Sequence, residues 1–230
     1  MVHTVRSRPV RPLTREGTLS DRIYAELRTR LQRAPLQPDE RLVDLEVAAA
    51  YGTSRMPARD ALLRLLNEGY LLATTRGFVA PSLSLDDIRE IFEVRRLLEP
   101  EAVASVARDV DDATLARLAA ALQQARQATS QDDGDKMVLA NMAYREAWLG
   151  RVSNKRLAAT IARFVDHVQT VRRATLSNAP TRAIVLDGLT RVHAALCERD
   201  ARKARKCMTD FMLAAEKAFF AVRKAEIDGH

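Results

Sequence analysis

Two arginines stand four residues apart directly behind a Gly-Thr-Ser turn, in Gly52-Thr53-Ser54-Arg55-Met56-Pro57-Ala58-Arg59. A guanidinium can fork two hydrogen bonds to a phosphate or to the edge of a guanine, which a lysine ammonium cannot do. At about 100° per residue, Arg55 and Arg59 lie only ~40° apart on a helix, so both can project from one edge of it. A second basic turn, Thr74-Thr75-Arg76-Gly77, follows shortly. Farther along, Asn141 and Arg145 are spaced i, i+4 and share a helix face, with Trp148 near it. A buried arginine there needs an anion, and guanidinium and amide donors together could hold a carboxylate. Enzymatic chemistry is poorly represented: no GxGxxG, P-loop, HExxH or nucleophile elbow occurs. His167 and His193 are isolated and read first as hydrogen-bonded or surface residues. Cys197 and Cys207, ten residues apart, form no CxxC and read as free thiols of a reducing compartment.

The elements that must carry these residues follow from capping and periodicity. A first helix is expected over 18–33, capped by Thr18 or Ser20, with Ile23, Leu27 and Leu31 at i, i+4 and i+8. A short second helix over 42–51 ends at Gly52, which supplies the left-handed geometry needed past a helix C-terminus. Ser54 then caps a third helix reaching to Gly69. Pro57 is tolerated in its first turn, and Ala58, Ala61, Leu62 and Leu65 make its buried stripe. Arg55 and Arg59 lie beside that stripe, at the N-terminal end. Tyr70–Ala73 and Phe78–Ala80 read as two short strands around the turn that bears Arg76. Three helices and a small hairpin make a winged helix-turn-helix, in which the third helix enters the major groove N-terminus first.

Beyond Ser84 only helices are expected: 86–107, which Pro100 breaks or kinks, then 114–129, 135–151, 154–176, 180–199 and 200–226. Short loops between that many helices imply an antiparallel bundle. The fold class is therefore mostly α: a basic, flexible arm over 1–17, a winged helix-turn-helix over 18–81 and an all-helical domain over 84–227. Composition agrees, with 8 Gly and 8 Pro in 230 residues, too few for a turn-rich β fold. The net charge of +7 suits an anionic partner, and residues 1–80 hold 13 Arg and no Lys. No apolar run approaches the ~20 residues that span a bilayer, and the N-terminus lacks the apolar core of a secretory signal. A cytoplasmic protein with no membrane partner is expected.

Residues 19–80 resemble the DNA-binding domain of the GntR family of bacterial transcription regulators. The resemblance is carried by Glu40-Arg41-Leu42, Glu46-Val47-Ala48, Tyr51-Gly52-Thr53-Ser54-Arg55-x-Pro57-x-Arg59-x-Ala61-Leu62, Glu68-Gly69 and Arg76-Gly77-Phe78-Val79. It implies that Arg55 and Arg59 contact an operator, that Thr53 and Ser54 approach phosphate, and that Arg76 and Gly77 reach DNA from the wing. The wing is about a residue shorter than is usual in that family. The remainder resembles the FCD effector domain of the FadR-like branch, on Ile91-x-Glu93-Val94-Arg95-x-x-Leu98-Glu99, Asn154-Lys155-Arg156-Leu157 and Asp200-Ala201-x-x-Ala204 with Met208.

That branch commonly holds a divalent metal through an Asp, an adjacent-turn His and two later His, with a carboxylate effector completing the shell. Those positions fall here on Asn141, Arg145, Leu189 and Phe211, none of which is a competent metal ligand. No metal or other cofactor is expected. His193, one turn beyond Leu189, is the remaining histidine in range. Two readings of the domain stay open: a metal-free pocket for a small organic anion, possible contacts being Arg95, Asn141, Arg145 and His193, or a pocket in which Arg145 pairs with an internal carboxylate. The expected function is a ligand-responsive, dimeric repressor of a palindromic operator. The alternative is a constitutive DNA-binding protein whose helical domain only dimerises.

Overall fold

The computed structural model describes residues 18–33, 36, 40–81, 83–167 and 175–228, with 32–33, 165–167 and 225–228 described by backbone alone. The expected basic arm, 1–17, lies outside the described residues. The chain divides into two compact units, Met1–Pro81 and Ser82–His230.

In the first unit, α1 (Leu19–Arg33), α2 (Asp44–Ala50) and α3 (Arg55–Asn67) are followed by β1 (Leu72–Thr74) and β2 (Gly77–Val79), an antiparallel pair. Thr18 closes the start of α1: its hydroxyl accepts from the Asp21 amide at 3.2 Å while its own amide donates to Asp21 Oδ2 at 2.9 Å. The reciprocal pairing satisfies two donors that a helix start leaves open. Ile23, Leu27, Val47, Ala58, Ala61, Leu62, Leu65 and Leu71 form one core. Helix α2 starts two residues later than its periodicity suggests. Leu42 is instead bridged to Phe78, each amide donating to the other's carbonyl at 2.8 and 2.9 Å. That bridge makes the wing three-stranded at one point. Gly77 serves it with φ +128, where an added Cβ would stand 2.8 Å from the Leu42 carbonyl oxygen.

The second unit contains α4 (Leu85–Asp109), α5 (Asp112–Ser130), α6 (Gly134–Leu149), α7 (Lys155–His167), α8 (Ala179–Cys197) and α9 (Ala201–Asp228). Caps punctuate it: Ser84 with Asp87 forms a capping box, and Asp111, Asp133 and Asn178 each accept from the amide three residues on. Helix α4 packs along α9, α5 along α6, and α8 against α9. Val103, Leu118, Leu122, Met137, Tyr144, Trp148, Val192 and Met208 are among the residues of the resulting core.

One expectation changes here. Pro100 does not break α4, which runs through it, buried, in 25 residues. An interior proline costs about 3 kcal/mol, and burial of Ile88, Ile91, Phe92, Ala102, Val103 and Val106 on the same helix offsets that. Of the expected helix over 154–176, α7 covers Lys155–His167 and residues 175–176 are helical; 168–174 lie outside the described residues, and α8 begins at Ala179 behind its own cap, as expected. No helix among the described residues is long and apolar enough to cross a membrane.

Candidate functional site

Two places bring together the residues singled out above, one in each unit. In the first, Gly52 at φ +60 turns the chain between α2 and α3, and the Thr53 amide donates back to the Ala48 carbonyl at 2.9 Å. Ser54 occupies the N-cap position of α3, but its side chain makes no cap hydrogen bond, contrary to expectation. Its hydroxyl is exposed and the first amides of α3 lack a side-chain acceptor, which suits an anion at this helix end.

Arg55 and Arg59 follow on the exposed edge of α3, and both turn to one carboxylate. Arg55 Nη2 donates to the two Asp44 oxygens at 3.0 and 3.1 Å, and Arg59 Nη1 lies 3.6 Å from Asp44 Oδ2. The arginine side chains are 61% and 59% exposed, whereas that of Asp44 is 12% exposed. A nearly covered carboxylate on α2 therefore orients two solvent-facing forks on α3. The Arg55 hydrogen bond holds the Asp44 carboxyl below its ordinary range. Asp44 escaped sequence reasoning: eleven residues separate it from Arg55, and only the α2–α3 packing joins them. In the wing, Thr74 Oγ1 accepts from the Arg76 amide at 3.2 Å and donates to the Gly77 carbonyl at 2.8 Å, setting Arg76 at an exposed tip.

The second place is a cavity of about 60 Å³ among α4, α6, α8 and α9. Arg95, Asn141 and Arg145 all line it, with Phe92, Phe211 and Phe219 among its apolar walls. Behind the two arginines sits Glu99, fully buried, which sequence reasoning did not single out. Arg95 Nε donates to Glu99 Oε1 and Arg145 Nη1 to Glu99 Oε2, each at 2.7 Å. Arg95 and Arg145 are themselves only 5% and 7% exposed. Burial works to raise the Glu99 carboxyl, but the Arg145 and Arg95 guanidiniums outweigh it and hold the group below its ordinary range. Burial likewise lowers Arg145, yet a guanidinium facing a carboxylate stays charged at neutral pH. Both open readings of Arg145 thus have a footing: it pairs with an internal carboxylate and also lines a cavity. Its Nε is buried with no partner.

His193 is placed elsewhere. It does not line this cavity; its Nε2 lies 3.5 Å from Cys197 Sγ and its ring meets Tyr144 edge-on, centroids 6.4 Å apart. One turn past Leu189, it stands against Tyr144 rather than against Arg145. His167 lies in the part of α7 described by backbone alone.

Asn141, Arg145, Leu189 and Phe211, the positions on which the metal-ligand pattern weighed in the sequence falls, do converge, on a small void of about 10 Å³ beside the main cavity. As a donor set they do not fit a divalent cation: an amide, a guanidinium and two hydrocarbon side chains, with both Glu99 oxygens already engaged. Among the described residues, no three His, Cys, Asp or Glu side chains group as metal ligands. The Phe211 ring instead fills the space beside Gly188 of α8. A Cβ built there would lie 2.2 to 2.8 Å from three ring carbons. Gly188→Ala is accordingly expected to destabilise the protein. Overpacking costs about 1–3 kcal/mol, against at most ~1 kcal/mol gained from better helix propensity. Urea unfolding measures the difference, and an unchanged midpoint would show that Phe211 moves freely.

Comparison with known proteins follows the same division. Residues 19–78 match the bacterial regulatory proteins of the gntR family and residues 90–214 match the FCD domain. Among curated relatives, the uncharacterised HTH-type transcriptional regulator YdhC of Bacillus subtilis is 29% identical over 136 residues, covering 58% of this chain and 61% of its own. The HTH-type transcriptional regulator McbR of Escherichia coli is 30% identical over 131 residues, covering 56% and 59%. The matched segments thus span about six tenths of these relatives. Of solved structures, E. coli McbR/YncC superposes with a TM-score of 0.77 at 24% identity, covering 90% of this chain and 99% of that one. A GntR regulator from Rhodococcus sp. RHA1 superposes at 0.72 with 20% identity, covering 89% and 99%. At these identities the superpositions speak for the fold.

Proposed function

The chain belongs to the GntR family of bacterial transcription regulators and carries an FCD domain, and from that premise we propose that it is a repressor released or reset by a small organic anion bound without metal in the cavity of its second unit. The coarse part needs no proposal: proteins of this family are DNA-binding transcription regulators and not enzymes. The finer parts are our reading. The N-terminal end of α3, with Arg55 and Arg59, enters the major groove, Thr53 and Ser54 approach phosphate, and Arg76 with Gly77 approaches from the wing. Two copies of the chain pair to read a palindrome of two half-sites, in the cytoplasm where the chromosome lies.

The observation that carries the effector assignment is the cavity itself. Two buried guanidiniums share a single carboxylate, which leaves positive charge and an unpartnered donor beside apolar walls. A purely structural pair would be neutral and sealed. The second reading, a constitutive DNA-binding protein that uses its helical unit only to dimerise, draws on Glu99 already neutralising one guanidinium. Gel mobility shifts on the protein's own upstream region, with and without added organic acids, separate the two. We expect a retarded band that an acid weakens or restores, and loss of that response in Arg145→Ala. A retarded band indifferent to every acid favours the constitutive protein. Elemental analysis of the purified protein tests the metal-free assignment: stoichiometric zinc, nickel or manganese in the second unit overturns it.

A further inference from the structure

We infer that the cavity selects monoanions with a compact apolar body, and that Glu99 sets this limit by cancelling one of the two positive charges that face the ligand. The inference rests on the effector reading of the cavity given above and narrows it to a chemical class.

Among the described residues, Arg95 and Arg145 are the only ionisable side chains lining the cavity. Glu99 stands behind both, fully buried, with one oxygen committed to each at 2.7 Å. The three groups together carry a single net positive charge. One negative charge brought into this desolvated place is balanced. A second finds no counter-charge and loses its water, which is heavily unfavourable. Donors remain for the incoming group: the guanidinium N–H groups of Arg95 and Arg145 that Glu99 does not engage, and the Asn141 amide, for which no protein hydrogen bond exists among the described residues.

The rest of the wall is hydrocarbon, including Phe92, Val185, Phe211, Met212 and Phe219. A body without further polar groups is what such a wall rewards. Size points the same way. A water needs ~10–15 Å³ on this measure, so the space of about 60 Å³ takes roughly four to six non-hydrogen atoms before anything must move. A short-chain monocarboxylate meets all three conditions, its head at Arg145 and Asn141 and its tail against the phenylalanines.

The test compares acids matched in non-hydrogen atoms, butyrate against oxalate within that size and valerate against malonate just above it, by titration calorimetry on the whole chain. Wild type is expected to bind each monoacid at least ~10-fold more tightly than its matched diacid. Glu99→Gln uncovers the second positive charge while leaving the walls apolar, so it is expected to shift the ratio toward the diacid by a similar factor. Should that variant fail to fold, the near-isosteric Asn141→Asp brings the net charge to zero and is expected to lose binding of the monoacids. Equal or tighter binding of the diacids by wild type overturns the inference while leaving the cavity an effector site. A ratio unmoved by Glu99→Gln overturns the role of Glu99. If no acid binds to wild type or variant, the effector reading itself falls.

Discussion

Glu99→Ala is expected to remove about 3–5 kcal/mol of unfolding free energy, the largest single-residue effect in the second unit. The magnitude follows from what the substitution leaves behind. Arg95 and Arg145, both nearly excluded from solvent, would face each other with no carboxylate between them. Removing one partner of a buried ion pair costs far more than the pair is worth, because the surviving charge stays desolvated. A triple replacement of Arg95, Glu99 and Arg145 by Met is expected to fold with much less loss, since no charge is stranded. Urea unfolding of the two variants checks the contrast, and a loss below about 1 kcal/mol for Glu99→Ala would mean that water reaches the arginines. The pH dependence has a definite sign. The folded-state carboxyl titrates below its ordinary value of 4.5. Its stabilisation is therefore complete above that value and fades as pH falls through the depressed one. Glu99→Gln is expected to lack this acid-limb contribution.

The second large effect concerns DNA. Arg55→Ala and Arg59→Ala are each expected to lower affinity for the preferred duplex by roughly 5- to 150-fold, the range of 1–3 kcal/mol for a base-reading arginine. Binding to a random duplex falls much less, because it depends on total charge. Asp44→Asn probes how the two forks are held. Without the carboxylate, Arg55 and Arg59 lose their common anchor and the surface gains positive charge. Random-duplex affinity is expected to rise while the ratio of preferred to random binding drops. Fluorescence anisotropy at two salt concentrations reads both quantities, and an unchanged ratio in all three variants would place base recognition elsewhere.

Much of the first unit is legible from neighbouring residues alone. Thr18, Gly52, Pro57 and the Ala58–Leu65 stripe act within a turn or two of themselves, and local rules suffice for them. The Leu42–Phe78 bridge is not of that kind. It pulls two residues out of a helical pattern for the sake of a strand 36 positions away. Asp44 and Glu99 were hidden for the same reason. Each sits in a pattern that reads as ordinary helix surface or motif, and the partner that gives it away, Arg55 for Asp44 and Arg145 for Glu99, comes from another helix. Pro100 misleads in the opposite direction, since a local penalty is overruled by burial along the whole of α4. The family-like positions Asn141, Arg145, Leu189 and Phe211 could be set side by side by resemblance; that His193 stands off from them could not.

The close fit of Phe211 against Gly188 bears on the mutational routes open to this protein. A bulkier residue at 188 is harmful only while an aromatic ring stands at 211, so the two positions form an ordered pair in any series of changes. Shrinking residue 211 first makes position 188 permissive; changing 188 first crosses a fitness valley. Combining Gly188→Ala with Phe211→Ala should show it directly, as a double variant more stable than the sum of its parts allows.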